Sequence, residues 1–138
     1  MFETYTCALL ALWVVIITIM AQAIIASVAH RRQGKYIPGI VDAHLGHESF
    51  VFRSDRAFRN SLENIVPFVT LAIMAMMLGL DAGRLEIIIW VYAGARIVHS
   101  LLYYIIATEK NPSPRSYFYI IALVANLVLA YDVGVALF

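Results

Sequence analysis

The chain has 138 residues, a formal net charge of +1, and a composition that is 62% hydrophobic but only 14% charged. Soluble domains are about 45–50% apolar and about 25% charged, and a chain this short cannot enclose so much apolar surface in one water-soluble core. The composition therefore excludes a soluble globular domain, a disordered chain and a coiled coil, and it predicts an integral protein of the lipid bilayer. The near-zero charge gives no support to a nucleic-acid partner, and the single cysteine, Cys7, excludes an internal disulfide.

Four apolar segments follow one another along the chain and predict four membrane-spanning helices. The first carries no charge over 25 residues, which exceeds the ~20 residues that a helix needs to cross a bilayer. A secretory signal peptide is the alternative, but the basic residues that would precede its apolar core are absent. The second segment contains Pro67, which membrane helices tolerate as a kink. The predicted spans cover residues 5–29, 59–80, 86–107 and 115–137.

The connections between the second, third and fourth spans are short, so these helices are expected to run antiparallel. Only the stretch 30–58 is long enough to carry a loop of its own. The sequence thus predicts an all-α membrane protein, a four-transmembrane-helix antiparallel bundle, in which residues 1–138 form a single transmembrane domain.

Lysine and arginine residues are distributed unevenly among the three connections. Six lie between residues 31 and 59, and Lys110 and Arg115 lie at the third connection, whereas the second connection has only Arg84. Because cytoplasmic segments are enriched in Lys and Arg, this asymmetry predicts that the first and third connections are cytoplasmic and that both termini lie on the opposite side. The expected location is a bacterial inner membrane or the endoplasmic reticulum.

Polar and charged side chains recur at helical spacing near the cytoplasmic ends of three spans. At 100° per residue, the polar residues of the second helix fall within about 100° of arc, and those of the third form a narrow stripe. An ionisable group inside a membrane helix costs about 2.5 kcal/mol or more, so such residues indicate function. The stripes comprise Arg56, Arg59, Asn60 and Glu63 on the second helix, Tyr92, Arg96, His99 and Tyr103 on the third, and Arg115, Tyr119 and Asn126 on the fourth.

This set of side chains suits a small polycarboxylate ligand. Arginine binds carboxylates as a planar fork and keeps its charge, while Glu63 suits an ammonium group of the ligand. The alternative is that these residues only pair with one another, because Arg59 and Glu63 are four residues apart and Arg96 could neutralise Glu63 from the next helix. Four basic residues against one acid leave positive charge uncompensated, which favours a bound anion.

Residues 56–68, RAFRNSLENIVPF, and residues 95–103, ARIVHSLLY, form one motif each on the second and third helices. The first resembles the second-helix signature of the MAPEG family, the membrane-associated proteins of eicosanoid and glutathione metabolism, which include microsomal glutathione transferases and prostaglandin E synthase. The second resembles the family's third-helix motif. The resemblance covers nearly the whole chain, and chain size, number of spans and predicted orientation agree with it.

The resemblance implies a homotrimer that binds glutathione between adjacent subunits, in a site open to the cytoplasm and to lipid. The catalytic residues that it implies are Arg115, which would stabilise the glutathione thiolate, Ser116, and Asp42 in the first loop. A guanidinium beside a thiol favours the thiolate, although Arg115 could instead extend to lipid headgroups. The glutathione-binding residues that the resemblance implies are Arg31, Arg56, Arg59, Asn60, Glu63, Arg96, His99, Tyr103 and Tyr119.

The implied function is a membrane-embedded transferase that conjugates glutathione to lipophilic electrophiles, with peroxidase or isomerase activity as variants. A non-catalytic lipid-binding scaffold of the same fold is one alternative. A small four-helix exporter is another, but the first helix offers only Gln22 where such exporters need an acid. His44, His47 and Glu48 could suggest a metal site, but a closed zinc site needs four ligands, so no metal is expected.

Overall fold

The computed structural model describes residues 3–138. Within these residues there is no β-strand, and all four long helices are long and apolar enough to cross a membrane. The predicted all-α fold with four candidate spans is therefore confirmed. A short 3-10 turn, Glu3–Tyr5, leads into α1 (Thr6–Arg31), α2 (Phe50–Met77), α3 (Ala82–Ile105) and α4 (Pro114–Leu137).

Contacts between helix ends show that the helices alternate in direction. The Tyr5 hydroxyl, just before α1, donates to the carbonyl of Leu80, just after α2, over 2.7 Å. At the opposite end of the bundle, Arg53 near the start of α2 donates to the carbonyl of Tyr104 near the end of α3, over 3.4 Å. We call this second end, where α1 and α3 end and α2 and α4 begin, the arginine end.

The start of α2 differs from the span predicted for it. The Ser49 hydroxyl accepts a hydrogen bond from the backbone N–H of Phe52 and caps the helix, which therefore begins at Phe50. The helix begins nine residues before the predicted span, because hydropathy identifies the apolar part of a helix and misses its polar first turns. The other three helices begin and end within four residues of the predicted spans.

The end of α2 is fixed by a glycine. Gly79 adopts a φ of 72°, a conformation that residues with a side chain rarely adopt. The N–H groups of Gly79 and Leu80 return to the carbonyls of Met76 and Ala75, which is the hydrogen-bond pattern of a Schellman motif. Pro67 lies inside α2, as predicted, and the helix continues through it.

Small residues let the helices approach closely in the middle of the bundle. Phe68 of α2 stacks on Tyr92 of α3 with the ring centroids 3.5 Å apart, so this tyrosine of the predicted polar stripe serves the core. Large apolar side chains such as Trp13 and Ile87 point outward, as expected of helices whose solvent is lipid. The buried small residues include Ala57, Ala72, Ala75, Ala93, Ala122 and Ala125.

Polar contacts join α3 to α1 and to α4. Gln22 of α1 is buried, and its Nε2 donates to the Ser100 hydroxyl over 2.8 Å. At the end opposite the arginine end, Arg84 donates to both carboxylate oxygens of Asp132 on α4, over 2.6 and 3.0 Å. These contacts help to fix the positions of α1 and α4 against α3 and hence of the side chains at the arginine end.

Candidate functional site

The outward face of α2 at the arginine end carries four charged side chains. Arg59 pairs with Asp55 one turn earlier, with 2.8 Å between Nε and Oδ2, and Arg56 lies 3.9 Å from Glu63. The ion pairs predicted as an alternative from the sequence joined Glu63 to Arg59 or Arg96 and did not include Asp55. The four-residue spacing between Asp55 and Arg59 is the sequence signal that indicates their contact. The side chains of Arg56, Arg59 and Glu63 are 40–59% exposed, so this face remains open from outside the subunit.

Arg96 of α3 turns into the bundle and is only 4% exposed. Its Nη2 donates to Asn60 Oδ1 over 2.8 Å and to the Ser61 hydroxyl over 3.1 Å. Its Nη1 is buried without a hydrogen-bond partner, and within residues 3–138 the guanidinium has no ion pair with a carboxylate. Asn60 therefore connects the charged face of α2 to a buried cation that keeps unused hydrogen-bonding capacity.

His99 lies one turn after Arg96 and joins α3 to α4 through aromatic contacts. Its ring centroid is 5.1 Å from that of Tyr103 and 6.3 Å from that of Tyr119. His99 is 3% exposed, and its Nδ1 has no partner among the described residues. The structure thus brings together three of the predicted binding residues, with a buried ring nitrogen available for a further hydrogen bond.

Arg115 is buried at the start of α4 and is held on several sides. Its Nη2 donates to the carbonyl of Thr108 over 2.8 Å, and its Nε lies 3.4 Å from the Ser113 hydroxyl. The guanidinium carbon lies 4.1 Å from the ring centroid of Tyr103, and Nη1 lies 3.3 Å from His47 Nδ1. With 6% exposure, Arg115 points into the protein and not toward the lipid headgroups, which was the alternative considered for it.

Ser116, the second predicted catalytic residue, contributes to the start of α4. Its hydroxyl oxygen accepts the backbone N–H of Ser113 over 3.2 Å and forms part of a capping box. Pro114 occupies the first helical position, where its missing N–H costs no hydrogen bond. The cap fixes the direction of α4 and, with it, the position of Arg115 directly before Ser116.

Asp42 and Arg31 lie beside the charged face of α2 and not beside Arg115. Asp42 lines an open cavity of about 370 Å³ together with Arg56 and Arg59. Arg31 lines a neighbouring cavity of about 290 Å³, and Asp55 contributes to both cavities. In the described part of the chain, no hydrogen bond or ion pair connects Asp42 or Arg31 to Arg115.

Comparison with known proteins places the whole chain in one family. The model of the MAPEG family matches residues 4–135. The chain belongs to the MAPEG family. No curated protein and no solved structure matches it at a significant level. The family includes glutathione transferases and related enzymes as well as non-catalytic members, and its members use glutathione as a substrate or cofactor.

In this MAPEG protein the predicted site residues form two groups that meet at Asn60. The first group surrounds the outward face of α2. The second lies between α2, α3 and α4, where Arg96, His99 and Arg115 are buried and the other three residues are partly buried. The first comprises Arg31, Asp42, Arg56, Arg59 and Glu63, and the second comprises Arg96, His99, Tyr103, Arg115, Ser116 and Tyr119.

Arg53 and His47, which were not among the predicted site residues, hold the loop before α2 in place beside the site. Arg53 donates from Nη1 to the carbonyls of His47 and Glu48 over 2.6 and 3.0 Å. His47 lies beside Arg115, and burial, followed by the charge of Arg115, lowers the pKa of His47 below its usual 6.5. Arg53 precedes Arg56 by one turn, which is a weak sequence signal, whereas His47 meets Arg115 across 68 residues and has none.

Proposed function

We propose that this MAPEG protein is a membrane-embedded glutathione transferase that conjugates glutathione to lipophilic electrophiles. The observation that carries the proposal is the presence of two buried guanidinium groups, Arg96 and Arg115, that have no carboxylate partner within residues 3–138. A buried cation without a counter-ion is strongly unfavourable, so an anionic ligand would relieve both. Arg56 and Arg59 add exposed guanidinium groups on the outward face of α2.

The available side chains fit the chemical groups of glutathione, which has two carboxylates, one ammonium group and one thiol. Arg56 and Arg59 can bind carboxylates as planar forks, and Glu63 can bind the ammonium group. The unpartnered Nη1 of Arg96 and Nδ1 of His99 offer two further hydrogen-bonding atoms inside the bundle. When bound, glutathione would supply the nucleophilic sulfur of the reaction.

Arg115 has the properties required of the group that keeps a thiol ionised. Its charge is fixed in place by Thr108, Ser113 and the ring of Tyr103, and it is shielded from water. A fixed cation in such surroundings favours a thiolate over a thiol without reorganising during the reaction. Lipophilic electrophiles would reach the site from the bilayer, where they are concentrated, so the reaction also gains from proximity.

We further propose that the protein is a homotrimer whose arginine end faces the cytoplasm. In a single subunit, the half-exposed side chains of Arg56, Arg59 and Glu63 lie on an open helix face, and a neighbouring subunit on that face would complete the site. The excess of Lys and Arg in the first and third connections supports this orientation. Sedimentation in mild detergent tests the assembly, because a monomer that still binds glutathione would contradict it.

The second candidate is a non-catalytic lipid-binding scaffold of the same fold. It is favoured by the fact that all three guanidinium nitrogens of Arg115 already contact protein atoms, and that the Ser116 hydroxyl is part of a helix cap. A scaffold of this kind would bind lipid without needing glutathione. Failure to bind glutathione would therefore favour it over the transferase.

Titration calorimetry with glutathione, followed by conjugation to an apolar chloronitrobenzene, tests the transferase. Arg96→Ala should weaken glutathione binding, because it removes the buried cation that has no counter-ion. Arg84→Ala is the matched control, since it removes an arginine of the same helix at the opposite end of the bundle. Wild-type affinity in Arg96→Ala, or equal losses in both variants, would contradict the proposed site.

A further inference from the structure

His47 is the residue through which the loop between α1 and α2 contacts Arg115. Its Nδ1 lies 3.3 Å from Arg115 Nη1, and its ring packs edge-on against Phe52 with the centroids 5.0 Å apart. Its backbone carbonyl accepts a 2.6 Å hydrogen bond from Arg53. Both the ring and the backbone of His47 are therefore fixed by α2, so its Nδ1 is held at a defined position.

The chemistry of the two side chains determines the protonation state of this contact. An arginine guanidinium can only donate, so His47 Nδ1 must accept through its lone pair. The imidazole is then neutral and carries its proton on Nε2. A protonated His47 would lose the acceptor and would place two positive charges next to each other.

The other groups that hold Arg115 come from the end of α3 and from the connection that leads into α4. Thr108 and Ser113 lie in the connection between α3 and α4, and Tyr103 lies in the last turn of α3. Among the described residues, His47 is the one hydrogen-bonding partner of Arg115 that comes from the α1–α2 loop. Loss of this contact would free one side of the guanidinium.

We propose that His47 is a positioning residue, whose neutral imidazole holds the guanidinium of Arg115 in the orientation that acts on the thiol of glutathione. This role rests on the proposed function, because His47 acts through Arg115.

The contact between His47 and Arg115 also makes the site sensitive to acid, since protonation of His47 releases Arg115. Burial and the nearby Arg115 charge, which lower the pKa of His47, keep the imidazole neutral at physiological pH. The charged and titratable groups facing His47 are Arg115 from α4, Glu109 from the preceding connection, Arg53 from α2, Glu48 from the loop and Tyr103 from α3.

A double-mutant cycle on the full chain in lipid nanodiscs tests the proposal. The variants are His47→Phe, Arg115→Ala and their combination, and the measurement is the thiolate absorbance of bound glutathione against pH. His47→Phe alone should lower the thiolate fraction at neutral pH about threefold, which is less than the effect of removing the charge itself. In the Arg115→Ala background, His47→Phe should have no further effect, because it acts only through Arg115. Additive effects would overturn the proposal.

Two further variants separate the acceptor from the ring. His47→Asn places an amide oxygen near the position of Nδ1 and should restore the wild-type titration, while it removes the ionisable group. His44→Phe is the matched control, because His44 lies in the same loop but is exposed. A His47→Asn variant that behaves like His47→Phe would show that the ring, and not the acceptor, matters, and would overturn the proposal.

A measurement without glutathione keeps this inference separate from the proposed function. The nitrogen NMR signals of His47 are followed against pH in the wild type and in Arg115→Leu. We expect His47 to titrate at a higher pH in Arg115→Leu, because the neighbouring positive charge is gone. If glutathione does not bind at all, the proposed function fails and this role of His47 fails with it. If glutathione binds but the His47 titration is the same in both proteins, only the positioning role is refuted.

Discussion

Replacing Arg115 by alanine tests whether its charge ionises a thiol bound at the arginine end. The guanidinium is 6% exposed and has no carboxylate partner in the described chain, so neither water nor a counter-ion screens it strongly. Removing it should return the pKa of a bound thiol toward that of a free thiol, about 8.5. Lys110→Ala is the matched control, because it removes an exposed positive charge from the same connection.

The size of the effect follows from the ionisation equilibrium. If Arg115 lowers the pKa of the bound thiol to about 7, about half of it is thiolate at neutral pH. A pKa of about 8.5 leaves about 3% as thiolate, which is a loss of about 16-fold. Turnover should fall less, by about threefold, because the more basic thiolate is also more nucleophilic, with a Brønsted slope of about 0.45. The thiolate fraction is therefore a more sensitive measurement than turnover.

The assay follows the thiolate absorbance of glutathione bound to saturated protein as the pH is raised. The titration curve of Arg115→Ala should lie about 1.5 pH units above that of the wild type, and the curve of Lys110→Ala should overlay the wild type. Superimposable curves for the wild type and Arg115→Ala would show that Arg115 does not lower the pKa of the bound thiol. They would assign Arg115 to holding the loop and α4 together and leave the thiolate without a stabilising charge.

Four further predictions concern recognition and stability. Glu63→Gln and Arg59→Ala should weaken glutathione binding in calorimetry more than they lower kcat, because they bind charged ends equally well before and during the reaction; a selective loss of kcat would contradict this. Asn60→Ala should lower the free energy of unfolding by about 2 kcal/mol, since a buried guanidinium loses an acceptor, and a stability equal to the wild type would show that the contact contributes nothing. Tyr5→Phe should lower it by about 1 kcal/mol with no change in glutathione affinity, as its hydrogen bond lies at the opposite end of the bundle. The lowered pKa of His47 makes the unfolded state bind the proton more readily, so thermal stability should fall as the pH drops below 6.5, and it should fall less in His47→Asn.

The four helices follow from the sequence because a membrane helix is a local structure. A predominantly apolar run long enough to cross the bilayer must satisfy its backbone hydrogen bonds within the segment, and a helix does so. The same local periodicity put Arg96, His99 and Tyr103 on one face of α3, and these side chains do lie together at the arginine end. Hydropathy failed only at the start of α2, where polar turns extend the helix beyond the apolar segment.

Pairing between side chains was decided by the tertiary structure. The sequence offered Glu63 two arginine partners, Arg59 by helical spacing and Arg96 from the next helix, and the structure places it near a third, Arg56, at 3.9 Å. Asn60 could face lipid or a neighbouring helix, and only the packing of α2 against α3 aims it at Arg96.

The contact between His47 and Arg115 depends on the tertiary structure most of all. It joins a loop to the start of α4 across 68 residues, and neither residue belongs to a periodic pattern that could predict the other. Periodicity reports which residues share a face of one helix, but the partner of that face depends on how separate elements pack. The sequence by itself determined the membrane-spanning helices and their polar stripes, and the packing of the loop against α2 and α4 decided that Arg115 is buried and held from two sides.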